Sequence, residues 1–384
     1  MRKSDYQPLG KYIEQVNVRN RDLTVTNLMG VSIEKRFIPS IANTIGTDLS
    51  PYKIVKPGQF AYGPVTSRNG DKITIALYNG NEDCIISQAY EAFRIKDTTQ
   101  LLPEYLMMWA KRPEFDRYAR YMSHGSVREL FSWEEMCNVM LPVPPIEEQH
   151  RIVSEYQTVE RRIANNEALI QKLEETAQAI YYHTFVEGID EENLPEGWRK
   201  GTIEELCCVK DGTHDSPKTC KCGYPLITSA HLEPYSLLLG QAYNISTDDF
   251  NKINERSLVE EKDILYSMIG TIGSIHYAIN KRKDYAIKNM ALFKTSKCLD
   301  YAEFANCTLK SLKTENYIKA SVSGSTQNYV TLNILRGIPI TIPDIEAINR
   351  YHDKSKYLFY YIGLLASENS HLRTLLSLLT SKLS

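Results

Sequence analysis

Val143-Pro144-Pro145-Ile146-Glu147 returns 199 residues later as Ile342-Pro343-Asp344-Ile345-Glu346, and each copy opens a long heptad pattern. After the first, Ile152, Tyr156, Val159, Ile163, Asn166, Ile170, Leu173, Ala177 and Ile180 alternate steps of four and three. After the second, Tyr351, Ser355, Leu358, Ile362, Leu365, Asn369, Leu372, Leu376 and Leu379 do the same in the same phase. An apolar seam of this period, held over about four heptads, belongs to helices that pack along their length. Each seam carries one Asn, on different members of the repeat. In an antiparallel pair Asn166 and Asn369 can face each other, and any slip would set an amide against Leu or Ile. The alternative is that each Asn reaches water or a partner chain.

The same shift holds upstream. Glu104-Tyr105 matches Glu303-Phe304, Tyr118 matches Tyr317, and Gly125-Ser126 matches Gly324-Ser325. A globular unit followed by a helix has been duplicated, and such a period fixes the fold reading first. The expected class is α+β: two pseudo-symmetric heads of mixed α/β structure, joined by two long helices packing as an antiparallel coiled coil. The boundaries read as a head at 1–143, a helix at 144–189, a linker at 190–197, a head at 198–342 and a helix at 343–384. In the first head, Lys72 to Tyr78 reads as a strand, and Pro103 opens a helix to about Tyr121. In the second, Asp263 to Ser267 and roughly Tyr301 to Ser321 take those parts. Gly188 and the polar run from Asp190 to Gly197 end the first helix.

A chain of 384 residues suits two domains with added helices. No stretch approaches the ~20 apolar residues of a membrane span, and Met1-Arg2-Lys3-Ser4-Asp5-Tyr6 has no apolar segment behind it. The expectation is a cytoplasmic protein with reduced cysteines. The net charge of −2 is unevenly spread: Ile146 to Glu192 holds eleven acids and four Lys or Arg, so the heads are mildly basic. That permits nucleic-acid binding without demanding it.

Catalytic patterns are missing. There is no phosphate loop, no G-x-G-x-x-G fingerprint, no Asn-Pro-Pro-aromatic motif and no Asp…Glu-x-Lys cluster. Gly270-Thr271-Ile272-Gly273 reads as a hairpin or bulge. Cys207, Cys208, Cys220 and Cys222 lie close in sequence, but their adjacent or one-residue spacing is wrong for structural zinc, and no metal is expected. Loops rich in Arg, Lys, His and Asn suit base and phosphate contacts. The candidates are Arg19, Arg21, Lys35, Arg36, Arg68, Asn69 and Lys72 in the first head. In the second they are Lys210, His214, Lys218, Lys221, Arg282, Lys283, Lys288 and Asn289. Each one alone reads first as a solvated loop residue; on duplicated heads, together, they favour binding.

Leu141-Pro142-Val143-Pro144-Pro145-Ile146-Glu147-Glu148-Gln149-His150-Arg151-Ile152-Val153 and Leu194-Pro195-Glu196-Gly197-Trp198 resemble hallmark stretches of the specificity subunits of type I restriction-modification systems. Asp211-Gly212-Thr213-His214, Ser323-Gly324-Ser325-Thr326-Gln327, Glu34 to Pro39 and Arg112 to Tyr118 are similar to further stretches of that family, in the same order. The resemblance covers essentially the whole chain. Two departures stand out: Ile345-Glu346-Ala347 lacks the following Gln, and Cys220-Lys221-Cys222 has no family counterpart.

The resemblance implies a non-catalytic subunit whose two target-recognition domains each read half of a split double-stranded DNA sequence. The conserved helices would set the spacer and dock two modification subunits. S-adenosylmethionine would belong to those subunits, ATP and Mg to restriction subunits, and no cofactor to this chain. The helix seam and docking face would include Ile152, Tyr156, Val159, Ile163, Asn166, Ile170 and Leu173, with Leu358, Ile362, Leu365, Asn369, Leu372 and Leu376. The alternative is a coiled-coil adaptor whose two heads bind proteins.

Overall fold

A computed structural model describes residues 6–41, 46–67, 70, 72–124, 129–279, 281, 282, 284–323 and 329–383. The chain forms two compact units, Met1–Arg162 with Arg373–Ser384, and Ile163–Leu372. The divisions fall inside the two long helices, Ile146–Phe185 and Ile345–Ser381, so each unit takes a piece of both. Among the described residues no helix is long and apolar enough to cross a membrane.

In the first unit, the strands Ile13–Val16, Glu91–Ile95, Phe60–Tyr62 and Ile75–Leu77 lie side by side in that order, every pair antiparallel. Phe60 stands opposite Phe93, and their rings stack with centroids 4.7 Å apart. In the second, Val209–Asp211, Met290–Phe293, Ile264–Ser267 and Ile275–Tyr277 repeat the order and the directions. A closing strand pair completes each unit: Tyr6 opposite Pro142 in the first, Lys200 opposite Thr341 in the second. Pro142 and Thr341 keep the 199-residue shift, but Tyr6 and Lys200 do not. The constant offset therefore belongs to the C-terminal part of each head, and the loops before it differ in length.

The helix expected from Pro103 to Tyr121 is two helices, Pro103–Ala110 and Pro113–Tyr121. Pro113 has no N–H to donate and holds Arg112 extended (φ −72°, ψ 141°). The helix expected near Tyr301–Ser321 breaks at the matching place, into Ala302–Leu309 and Leu312–Ser323, without a proline. There the Ser311 hydroxyl accepts from the Thr314 N–H at 3.3 Å and starts the second helix. One break thus has two chemical causes.

Burial follows the seams. In the second unit Ile163, Asn166 and Ala177 are buried on one helix, with Tyr351, Ser355, Ile362 and Asn369 on the other. This corrects the expected docking face: Ile163, Asn166, Ile362 and Asn369 are used up in packing within the chain. The helices run antiparallel: Asn166 Nδ2 donates to Asn369 Oδ1 at 2.9 Å, and Tyr181 and Phe185 pack on Tyr351. Asn166 Nδ2 also reaches Glu368 Oε2 at 2.8 Å. Gly363 sits mid-helix because a Cβ there would lie 2.2 Å from Ile279 of the head. In the first unit Val153, Tyr156 and Leu383 join the core of the head, flanked by Ile152 and Leu376.

The heads meet the helices by different joints. Gln149 is fully buried; its Oε1 accepts from Leu102 N–H at 2.9 Å, and its Nε2 donates to Gln100 O and Pro144 O. The corresponding residue of the second copy is the buried Ile348. There Asp344 does the fixing: Oδ1 accepts from Ala347 N–H and Oδ2 from Trp198 Nε1, both at 2.8 Å.

Candidate nucleic-acid interface

The segment Arg19-Asn20-Arg21 of the first head is shaped by the residue between the two arginines. Asn20 is buried, its Nδ2 donating to Val25 O and its Oδ1 accepting from Val25 N–H, while its own N–H donates to Tyr52 O. Arg19 is half-buried and donates to Pro51 O at 2.6 Å, whereas Arg21 and Arg36 are exposed. Lys72 is exposed and pairs with Glu34 at 3.2 Å. Arg68 and Asn69 lie outside the described residues.

Lys35 corrects the sequence reading. It occupies a left-handed turn (φ 58°), and its side chain goes inward instead of to solvent. The ammonium donates to Ala110 O at 2.6 Å and pairs with Asp116 at 2.8 Å, and the same carboxylate oxygen accepts from Ile73 N–H. Burial pushes its pKa down, against the pull of Asp116. This group ties loop to helix and cannot also grip a phosphate.

In the second head the structure brings His214, Lys288 and Asn289 together. Thr213 bridges to Lys288, and Asn289, with φ 55°, turns its side chain to His214. His214 Nε2 lies 2.9 Å from Asp211 Oδ2 and its Nδ1 2.9 Å from Asn289 Oδ1. Lys288 Nζ donates to Ser216 Oγ. Lys218 and Lys221 are exposed further along the same loop, and Lys210 is half-buried on the strand that leads into it. Arg282 is exposed but pairs with Asp284 at 2.8 Å, and Lys283 lies outside the described residues.

Sequence reading missed Arg256. It stands near the end of the helix Thr247–Ser257, and its Nη2 reaches Asp211 Oδ1 and Gly212 O, both at 3.0 Å. Nothing local marks it, because its partners are more than forty positions away. Arg256, Asp211, His214 and Asn289 form one chain of polar contacts that holds the loop to the sheet.

The cysteines take no part in this chain. Cys207 is buried and its thiol is pushed up to about 12, first by burial. Cys208 and Cys222 are exposed, and Cys220 Sγ lies 2.8 Å from Cys222 O. Among the described residues no group of three or more His, Cys, Asp or Glu side chains is placed to hold a metal ion.

Both heads therefore present a shared sheet with dissimilar polar loops. A family model described as the type I restriction modification DNA specificity domain matches residues 34–175 and, a second time, 195–374. The type I restriction enzyme MjaIX specificity subunit of Methanocaldococcus jannaschii is 23% identical over 283 residues, 67% of this chain. That match spans 63% of the relative's own length. The crystal structure of a type I restriction-modification system S subunit from M. genitalium aligns with a TM-score of 0.57 at 13% identity. It covers 98% of this chain and 95% of that one, a likeness of fold alone. With two matches that together span most of its length, the chain belongs to the type I restriction modification DNA specificity family.

Proposed function

We propose that this chain chooses the DNA sequence for a type I restriction-modification assembly. Each head reads one half of a bipartite double-stranded target, and the long helices set the unread spacer and dock two modification subunits. The observation that carries this reading is the division within each head: one sheet-and-helix skeleton, kept twice, bearing polar loops that were not kept. A repeated scaffold with diverged Arg, Lys, His and Asn loops suits two unlike half-sites.

The chain performs no reaction of its own in this reading. S-adenosylmethionine is held by the modification subunits, ATP and Mg by the restriction subunits, and the assembly works in the cytoplasm. Tyr357, Tyr360, Tyr361 and Leu364 are exposed along the second long helix, beside a groove of about 740 Å³ that Glu261 and Lys262 help to line. An aromatic face of this kind supports docking of a protein partner there.

The test is methylome sequencing of cells expressing this chain with its modification subunit, against a control lacking only this chain. A new methylated adenine motif with two specific parts and a fixed gap, absent from the control, is the expected result. No new motif with a demonstrably active modification subunit would favour the adaptor reading. Replacing Arg68 is expected to relax one half of the motif only; equal loss on every sequence would make it a phosphate contact.

A further inference from the structure

The loop after Asp211 and the turn at Lys288-Asn289 meet backbone to backbone. Thr213 N–H donates to Ile287 O, and Asn289 N–H to Thr213 O, both at 3.0 Å. A Cβ at Gly212 would lie 2.4 Å from Ile287 O, so only glycine allows this approach. His214 closes the junction with both ring nitrogens, each 2.9 Å from an oxygen: Asp211 Oδ2 and Asn289 Oδ1. Both oxygens are acceptors. A neutral imidazole has one N–H and satisfies one of them, whereas the imidazolium satisfies both. Asp211 is shared with Arg256; Lys288 and Asp215 are the charged groups next in sequence to the junction, and Lys218 and Lys221 are exposed further along the loop.

The consequence falls on Asn289. With Oδ1 held by the ring, its Nδ2 has no partner among the described residues, and it is not among their buried unpaired atoms. An outward NH₂ matches an acceptor on a base edge, such as guanine N7 or O6. An outward carbonyl matches a base amine instead. Which group faces outward depends on what the ring nitrogen requires of the amide.

We propose that His214 is a positioning residue that orients the Asn289 amide, and so sets whether the second head offers a donor or an acceptor to a base edge. The imidazolium donates to Oδ1 and leaves the NH₂ outward. When the ring releases its proton to solvent, Nδ1 becomes an acceptor, the amide turns to donate to it, and the carbonyl faces outward. This role rests on the second head reading DNA.

Two measurements test it. In the full chain, with histidine and asparagine side chains labelled with ¹⁵N and assigned using His214→Gln and Asn289→Asp, the Asn289 amide resonances should move in step with the His214 ring as pH changes. Amide resonances that stay fixed while the ring titrates would overturn the coupling. In the complex with modification subunits, duplexes varied at each base pair of the second half-site are compared at about pH 5.5 and about pH 8. Preference at one base pair should change by about tenfold in the wild type and lose its pH dependence in His214→Gln. Asn289→Asp, an acceptor at any pH in this range, should keep the high-pH preference throughout. A pH-independent preference with selective binding intact would sink the proposal. No selective binding at either pH would remove the DNA reading, and with it the specificity role, while the resonances still report whether ring and amide are coupled.

Discussion

The two heads agree in the sheet and the broken helix that follows it, and disagree in what lies between their sheet strands. In the first, residues 17–41 and 46–59 contain the hairpin Met29–Val31 with Phe37–Pro39 and the strand Lys53–Val55, which pairs with Cys84–Ile86. In the second, residues 212–263 form the strand Tyr224–Ile227 and the helix Thr247–Ser257, and Tyr224–Ile227 pairs antiparallel with Asn244–Ile245 and parallel with Ala286–Ile287. The buried charges diverge as well. Lys294 follows Phe293 as Arg94 follows Phe93, yet Lys294 is buried on Asp263 and Glu260, while Arg94 meets Glu14 at the surface. The first head instead buries Lys35 on Asp116. Duplication preserved the apolar skeleton, and each head then found its own way to anchor its loops.

The largest effect should come from breaking one of these private anchors. Asp116→Ala strands the Lys35 ammonium and the Ile73 N–H in the interior, at about 3–5 kcal/mol. In denaturant unfolding of the full chain the first head should melt early, with the transition of the second unchanged. The double variant Lys35→Met/Asp116→Leu should recover most of the loss, because no charge is then left buried. Equal destabilisation by single and double variants would show that shape, not charge, holds the loop.

Acid should discriminate the heads in the opposite sense. His276 is buried in the second head, its Nδ1 2.8 Å from Glu233 O, and burial lowers its pKa to about 4. The first head has no buried histidine among its described residues, since His124 and His150 are exposed. The folded value lies below the unfolded ~6.5, so the unfolded chain takes the proton first. This contribution is intact above pH 6.5 and is lost as pH falls towards about 4, by about 3 kcal/mol in full. The second head should therefore unfold first on acidification, and His276→Asn should flatten its pH dependence across that window.

How much of this was legible depends on whether the cause was local. The heptad seams, Pro103 as a helix start and Gly188 at φ 71° as a helix end were readable, because period and dihedral preference sit in neighbouring residues. One Asn on each seam allowed an antiparallel pair without requiring it, and the Asn166–Asn369 hydrogen bond is what decides against the alternative of water or a partner chain. The break at Arg112 was readable in Pro113 and yet passed over, while its counterpart at Ser311 rests on a hydroxyl cap that looks like any other serine. Lys35 looked like an exposed basic loop because nothing near it in sequence announces Asp116, 81 positions on. Arg256 was invisible for the same reason. The seam was a matter of period; the site is a matter of which distant loops meet.

The smallest effects test the joints. Gln149→Leu leaves the Leu102 N–H and the Gln100 and Pro144 carbonyls without their partner at a fully buried site, at about 1–3 kcal/mol. Asp344→Ala removes a helix cap and the acceptor of Trp198 Nε1 at a half-buried site, where water can replace both. Loss of such a cap should lower the Tm of the second unit by about 2–4 °C, less than Gln149→Leu lowers that of the first. Asp344→Asn keeps an oxygen for the Ala347 N–H and should recover most of the difference, since capping needs the acceptor more than the charge. If Asp344→Ala proved the more damaging, the Asp344–Trp198 pair would be the stronger joint. The buried Ile348, in the place of Gln149, would then mark a site where one helix entry was rebuilt, not weakened.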